Sequence, residues 1–223
     1  MNTSFLRNTP LFQGIAENEL SEILDCLSAR ERKFKKDDII FCAGSSVSEV
    51  GLVESGSVNI MVNFYWGDSH IFAHICQGQI FAESYAAIPG KKLVCDVVSS
   101  ENSEILFLDM RKLLTSCQKG CGFHHRIIHN MFCISGQKNL DLSARMIHTA
   151  SKSLRKRLLS YLSEQALKYG SSHFFIPFNR QQLADYLAVD RSAMSNELSK
   201  IRRDGLISYR KNEFTLKEGV RCE

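Results

Sequence analysis

The hydrophobic positions change period along the chain, and the change predicts its architecture. Near the start, Leu20, Leu24 and Leu27 share one face at helical spacing, which predicts a short amphipathic helix. From about residue 34 to residue 108 the pattern becomes short runs of Val, Ile, Phe and Tyr, separated by Gly, Ser, Asn and Asp. Such runs are typical of short antiparallel strands, so we expect a compact β-roll or barrel.

Helical spacing returns after Asp109 and is longest between residues 123 and 148. Four apolar side chains recur in that stretch at every third or fourth position: Phe123, Ile127, Met131 and Ile134. A helix this long predicts a dimer seam, since twofold dimers are the commonest oligomers. The alternative is that the same stripe packs on its own β-domain.

A new helix is predicted to begin at Ser151 or Ser153, either of which can act as its N-cap, and to end at Gly170. A hinge or domain boundary is therefore expected near residues 148–152. The predicted division is a β-roll domain over 1–122, a long dimerisation helix and hinge over 123–150, and a C-terminal domain over 151–223.

Residues 178–207 carry two short helical patterns with the tight turn "AVD" between them. Asn179 can cap the first helix. In the second helix Met194, Leu198 and Ile201 recur at i, i+4 and i+7, so they share the inward face. Two short helices across a tight turn predict a helix-turn-helix.

The polar side chains at the start of the second helix must then face outward. We predict that four of them read bases, because Arg can pair with guanine, Asn with adenine, and Ser bonds adaptably: Arg191, Ser192, Ser195 and Asn196. Four others are predicted to hold phosphates, which fixes register without specifying sequence: Arg180, Gln181, Lys200 and Arg203. Past Gly205, alternation around Lys211 and Asn212 predicts a β-hairpin wing. The alternative is a helical hairpin with a solvated charged face.

Charge is distributed unevenly between the two parts of the chain. Residues 1–150 hold 14 Lys and Arg against 16 Asp and Glu, whereas residues 151–223 hold 14 against 8. A basic module beside a near-neutral one is expected when only one of them meets a polyanion such as DNA. No apolar run reaches the length of a membrane span and the N-terminus lacks a signal-peptide core, so we expect a cytoplasmic protein with no membrane partner.

From about residue 10 to residue 216 the sequence resembles the Crp/Fnr family of bacterial transcription regulators. The segments that carry the resemblance are "PLFQGIAENEL", "FKKDDIIFCAG", "ESGSVNI", "GQIFAES" and the helix-turn-helix, which follow the family's order. The resemblance implies an α+β protein with an N-terminal antiparallel, cyclic-nucleotide-binding-like β-roll, a long dimerisation helix and a C-terminal winged helix-turn-helix. It also implies a homodimer, RNA polymerase as a partner, and an effector that reorients the DNA-binding domains.

Two segments depart from the pattern of the members that bind cyclic AMP. Their Gly-Glu-Leu becomes Ala82-Glu83-Ser84, and the arginine segment that faces the cyclic phosphate falls near Leu93-Val94-Cys95. A buried phosphate without a cation is costly, so we do not expect cyclic AMP as the effector. Lys91 and Lys92 would compensate only in a shifted register. The effector pocket is assigned to the same segments: Ala82, Glu83, Ser84, Leu93, Val94 and Cys95.

Other departures concern the sensed signal and the operator. The N-terminal cysteine cluster of the iron–sulfur oxygen sensors is absent, since the first cysteine is Cys26. In the second helix, Ser192 and Asn196 stand where many members carry Glu and Arg, so an operator unlike theirs is expected.

A cluster of Cys and His residues lies at the start of the long helix: Cys117, Cys121, His124, His125, His129 and Cys133. Four of them are spaced by four, so neighbouring pairs could chelate a transition metal. One metal could not take all four, and buried Cys or exposed His is ordinary, so no metal site is predicted. A redox thiol at Cys117, Cys121 or Cys95 is the next alternative.

These patterns together predict a homodimeric, sequence-specific transcription regulator that senses an unidentified small molecule, metal or redox signal. It should bind a twofold double-stranded DNA operator whose half-sites lie about one helical turn apart. The competing hypothesis is a sensing module that acts through a protein partner. No enzyme is expected, because the sequence lacks a phosphate-binding Gly loop, HExxH and Gly-x-Ser-x-Gly.

Overall fold

The structure is a computed structural model that describes residues 3–65, 67, 69–114 and 122–217. The chain divides into two compact units, Met1–Gln137 and Lys138–Glu223. This division lies inside the long helix, and the domain limits at residues 122 and 150 remain a prediction. Among the residues that the structure describes, no helix is both long and apolar enough to cross a membrane.

The first unit consists of two antiparallel sheets and a layer of helices. The strands are β1 (Arg30–Phe34), β2 (Ile39–Phe41), β3 (Glu49–Ser55), β4 (Ser57–Asn63), β5 (Ser69–Cys76), β6 (Ile80–Phe81), β7 (Asp96–Ser99) and β8 (Ser103–Asp109). One sheet has the order β1-β8-β3-β6 and the other has the order β2-β7-β4-β5. The helices are α1 (Thr3–Arg7), α2 (Glu17–Cys26), α3 (Glu83–Ala87), α4 (Met110–Leu114) and the beginning of α5 (Gly122–Thr149). The predicted β-roll and N-terminal helix are confirmed.

Aromatic side chains fill the space between the two sheets. Phe107 meets the rings of Phe34, Phe41 and Phe81 edge to face, with centroids 5.7 to 6.5 Å apart. Gly51 belongs to this arrangement, because a Cβ atom there would overlap the Phe81 ring. The interior of the β-roll is therefore a packed apolar core around four phenylalanines.

The helical layer packs on the outer face of the β1-β8-β3-β6 sheet through a second core that includes the stripe on α5. Phe123, Ile127 and Met131 are buried in this core, and Ile134 packs against it. Ile127 is completely buried within its own chain. This burial favours the alternative, in which the stripe packs on its own β-domain, for Phe123, Ile127 and Met131, whereas Ile134 is only half-buried.

The second unit has its own core and contains the predicted winged helix-turn-helix. Its elements are the end of α5, α6 (Leu154–Tyr169), β9 (His173–Phe175), α7 (Arg180–Tyr186), α8 (Arg191–Arg203), β10 (Ile207–Arg210) and β11 (Glu213–Leu216). The hairpin β10-β11 turns at Lys211 and Asn212 and pairs with β9. Ser153, rather than Ser151, caps α6, and Gly170 ends it with a φ of 59°.

Candidate nucleic-acid interface

Local capping fixes where both helices of the helix-turn-helix begin. The Asn179 Oδ1 accepts the Gln182 backbone N–H at 2.9 Å, and the Gln182 side-chain oxygen accepts the Asn179 N–H at 2.8 Å. At the start of α8 the Asp190 carboxylate accepts the Ala193 N–H at 2.7 Å. Each cap satisfies amide groups that a helix N-terminus leaves open, so both helices begin at defined residues.

The turn between the helices is tight because one residue adopts a left-handed conformation. Ala188 has a φ of 52°, a region that favours glycine. The next amide, of Val189, donates to the Ala184 carbonyl at 3.0 Å. This turn lets α7 and α8 pack closely, and Ala184, which lies between them, is fully buried.

The inward face of α8 consists of the residues that its periodicity predicts. Met194, Leu198 and Ile201 are fully buried in the core of the second unit. Side chains on the other faces of α8 therefore project outward, since the period is 3.6 residues. This packing determines which residues of α8 a partner can contact.

The four predicted base-reading residues lie together on the first turns of α8, but they are not equally available. Arg191, Ser192 and Asn196 are exposed. Ser195 is half-buried, and its hydroxyl donates to the Arg191 carbonyl at 2.9 Å. Three side chains are thus exposed and can approach a base edge, whereas the Ser195 hydroxyl is already hydrogen-bonded within α8.

Three of the four predicted phosphate-binding residues are exposed: Gln181, Lys200 and Arg203. The Gln181 amide donates to the Asp185 carboxylate at 2.8 Å. The Lys200 ammonium lies 3.5 Å from the Glu197 carboxylate, a surface ion pair of small energy. These contacts are weak enough to be exchanged for a phosphate.

Arg180 differs from the other three because its guanidinium packs on aromatic rings. The guanidinium carbon lies 4.7 Å from the centroid of the Tyr209 ring and 5.3 Å from that of Phe214. Burial lowers the pKa of Arg180, and Tyr209 counteracts part of that shift. From the other side of the motif, Arg202 of α8 lies 5.1 Å from the same Tyr209 ring. Arg180 and Arg202 therefore attach the wing to both helices of the motif.

A groove of about 690 Å³ runs between the tip of the wing and the starts of α7 and α8. Its charged lining residues are Arg180, Arg191 and Lys211. Lys211 is exposed at the hairpin turn with a φ of 55°. The sequence pattern predicted Lys211 in the turn but not at the interface, although a basic residue at a wing tip is a usable signal of such a role.

Polar side chains join the end of α5 to the helix-turn-helix within the second unit. Arg145 donates to the backbone carbonyls of Tyr186 and Asp185, each at 2.9 Å. The His148 Nδ1 lies 2.9 Å from the Tyr186 hydroxyl, and its Nε2 lies 3.0 Å from the Glu164 carboxylate. Burial lowers the pKa of His148, and Glu164 offsets part of that shift. No sequence pattern indicated this cluster, because its members are far apart along the chain.

The predicted effector-pocket residues divide into inward and outward groups. Ala82, in a left-handed conformation with a φ of 64°, precedes α3 and packs against the aromatic core. Glu83, Leu93 and Cys95 are buried, while Ser84 and Val94 are exposed. Burial, with the neighbouring Asp96 carboxylate, raises the pKa of the Cys95 thiol, which makes Cys95 a poor redox nucleophile.

The Cys and His cluster of the long helix is described only in part, since Cys117 and Cys121 lie outside the described residues. His125 and His129 are exposed, and the Cys133 sulfur lies 3.6 Å from the His129 Nε2. Over the ranges that the structure describes, no group of three or more potential ligands could hold a metal ion. A metal role for this cluster remains a hypothesis.

Comparison with protein families gives two matches in sequence order. The cyclic nucleotide-binding domain matches residues 31–119, and the Crp-like helix-turn-helix domain matches residues 156–218. No sequence among the curated proteins matches the chain significantly.

Several solved structures share the fold. The catabolite activator protein of Thermus thermophilus is 20% identical, covers 94% of each chain and has a TM-score of 0.50. The c-di-GMP responsive regulator CLP of Xanthomonas campestris is 17% identical, with 89% of this chain and 100% of that chain covered and a TM-score of 0.56. A CooA variant from Carboxydothermus hydrogenoformans is 20% identical, with 88% and 90% covered and a TM-score of 0.57. At these identities the likeness establishes the fold.

Proposed function

The chain belongs to the Crp/Fnr family of transcription regulators, and we propose from this premise that it binds a specific operator by inserting α8 into the major groove. The observation that carries the proposal is the division of α8 into two faces. Its inner face is fixed by Met194, Leu198 and Ile201, and its first turns present polar side chains outward. A helix held in this way can present base-reading groups without rearranging its core.

Arg191 and Asn196 are the proposed specificity residues. An exposed Arg can donate two parallel bonds to guanine, and an exposed Asn can pair with adenine. Ser192 is the third proposed base contact. Ser195 has a smaller proposed part, because its hydroxyl would have to leave the Arg191 carbonyl first.

Phosphate contacts are proposed for the exposed polar residues around α8 and for the tip of the wing: Gln181, Lys200, Arg203 and Lys211. The groove between wing and helices supports this assignment, since Arg191 and Lys211 both line it. Arg180 is proposed to act indirectly, by holding the wing through Tyr209 and Phe214.

We propose that the protein acts as a homodimer, like other members of its family, and that the exposed face of α5 forms the seam. In the first unit Ile128 and Phe132 are 40% and 76% exposed, and in the second unit Leu142 and Met146 are 50% and 72% exposed. Positions 128, 132, 142 and 146 fall on one heptad pattern of the sequence. Burying these apolar side chains would favour association of two copies.

The proposed effector binds in the β-roll domain and is not cyclic AMP. Leu93, Val94 and Cys95 supply no cation, and Lys91 and Lys92 are exposed. The packed phenylalanines between the sheets further support an effector other than a charged nucleotide. RNA polymerase is the proposed protein partner, by membership of the family.

The first experiment is selection of binding sequences from a random DNA pool, with reduced protein purified with and without its copurifying small molecules and metals. We expect a palindrome whose half-sites lie about one helical turn apart. Enrichment only with the copurified fraction would indicate effector control. Failure to enrich any sequence under either condition would contradict the proposal and favour action through a protein partner.

Two variants then separate base reading from phosphate binding. Arg191→Ala should cost about 1 to 3 kcal/mol on the cognate site and relax selectivity at one base pair. Lys200→Ala is the matched control on the same helix, and should weaken cognate and scrambled DNA equally while reducing the salt slope by about one. If Arg191→Ala left selectivity unchanged, the assignment of the base-reading residues would be wrong.

A further inference from the structure

A thiol and an imidazole lie side by side in the first unit, and the proposed DNA reading uses neither. Cys26 is the last residue of α2, and His124 lies in the first turn of α5. The Cys26 sulfur is 3.5 Å from the His124 Nε2. Cys26 is half-buried, so part of the residue meets solvent, whereas His124 is only 7% exposed.

The position of the imidazole proton follows from the surroundings of the ring. The His124 Nδ1 is buried and has no hydrogen-bond partner among the residues that the structure describes. Its ring stacks on Phe123, with centroids 5.1 Å apart. A buried N–H without an acceptor is rarer and more costly than a buried acceptor without a donor. The favoured neutral tautomer therefore carries its proton on Nε2, which faces the sulfur.

This arrangement favours the thiolate form of Cys26. A hydrogen bond donated to the charged form of a group stabilises that form, and a thiolate is a stronger acceptor than a thiol. The carbonyl end of α2 acts in the opposite direction, but the carbonyls of Ile23, Leu24 and Asp25 already accept backbone N–H groups.

We propose that Cys26 is a modification site, a thiol oxidised by hydrogen peroxide, and that His124 is the positioning residue that holds it as a thiolate. The thiolate sulfur attacks one peroxide oxygen, so an S–O bond forms as the O–O bond breaks. The leaving hydroxide takes up the proton that the thiol released, and the products are a sulfenic acid and water. Sulfur is oxidised by two electrons and peroxide is reduced by two.

Cys133 offers a matched comparison inside the same molecule. Its sulfur lies 3.6 Å from the His129 Nε2, but this pair is exposed to water. Water competes for the hydrogen bond there and screens it, so the imidazole stabilises a thiolate less. The two pairs have the same chemical groups at nearly the same distance, but His124 is buried and Cys26 half-buried, whereas His129 and Cys133 are both exposed.

The experiment follows both thiols in the full-length reduced protein after mixing with hydrogen peroxide. Remaining thiols are blocked with light iodoacetamide, oxidised ones are reduced and blocked with the heavy form, and tryptic peptides are analysed by mass spectrometry. Cys26 is the only cysteine between Arg7 and Arg30, and Cys133 is the only one between Arg126 and Lys138, so each thiol is read separately. Rates are measured from pH 5.5 to 8.5 in the wild type, His124→Leu and His124→Gln.

We expect Cys26 to be oxidised at least about tenfold faster than Cys133 at pH 6.5, and its rate to level off at lower pH in the wild type than in His124→Leu. His124→Leu should remove this advantage, and His124→Gln should retain part of it, because its amide can still donate to sulfur. Equal rates for the two wild-type thiols, or a Cys26 rate unaffected by His124→Leu in a protein with an unchanged melting temperature, would overturn the proposal. The comparison of Cys26 with Cys133 uses only the wild-type protein, so it tests the proposal even if His124→Leu fails to fold.

Discussion

The packing of Arg180 gives a sharp prediction, because its position on α7 is also that of a phosphate-binding residue. In the structure its guanidinium lies 4.7 Å from the Tyr209 centroid and 5.3 Å from the Phe214 centroid. Cation–π contacts contribute about 0.5 to 1 kcal/mol when exposed and about 2 kcal/mol when desolvated. For a half-buried Arg that contacts two rings, we expect Arg180→Ala to destabilise the wing by about 2 kcal/mol.

Arg180→Lys is the informative variant, because it keeps the charge and loses the planar group that stacks on a ring. Hydrogen exchange of the β10-β11 amides measures the free energy of opening of the wing. A loss of about 2 kcal/mol accelerates exchange roughly thirtyfold. We therefore expect about this acceleration in Arg180→Ala, and a smaller but substantial acceleration in Arg180→Lys. Gln181→Ala, at the next position of α7, is the matched control: its side chain is exposed, so exchange should be nearly unchanged.

Measurements of DNA binding distinguish a wing-positioning role of Arg180 from a phosphate-binding role. If the residue positions the wing, Arg180→Lys should weaken binding with no change in the salt slope. If Arg180 holds a phosphate instead, the β10-β11 amides of Arg180→Lys should exchange at the wild-type rate. Arg180→Ala should then reduce the salt slope of DNA binding by about one. That second pair of results would refute the positioning role.

Three further predictions concern backbone strain, pH and assembly. Ala188→Gly should stabilise the second unit against urea by about 0.5 to 1 kcal/mol, because it relieves a left-handed Ala with a φ of 52°; Ala193→Gly, inside α8, should instead destabilise it by a similar amount. Because burial holds the pKa of His148 below its unfolded value of about 6.5, the native state binds fewer protons there. The free energy of unfolding measured with urea should therefore have its full value above about pH 6.5 and fall as the pH drops below it. In His148→Gln this part of the pH dependence should be absent. Phe132→Glu should shift sedimentation toward the monomer, whereas Leu167→Glu, on an exposed site of α6, should not; a stable Phe132→Glu dimer would contradict the proposed seam.

The sequence alone determined the features that depend on local pattern. The spacing of Met194, Leu198 and Ile201 predicted the buried face of α8, and the outward position of Arg191 and Asn196 followed from it. Caps and turns were predictable for the same reason, since they depend on side chains within a few residues of one another. Alternation around Lys211 predicted the wing before any contact was known.

Only the tertiary structure decided what each predicted surface touches. Periodicity showed that Phe123 and Ile127 share a face of α5, but the neighbouring sheet and helices, not the period, determine that this face is buried in its own unit. The sequence predicted a phosphate contact for Arg180, and only the tertiary structure showed that its guanidinium also packs on the Tyr209 ring of the wing. Cys26 and His124 are separated by 98 positions, and their 3.5 Å contact arises because α2 and the start of α5 pack on one core. A sequence pattern specifies which residues share a side of an element, whereas burial and pairing depend on elements that are distant along the chain.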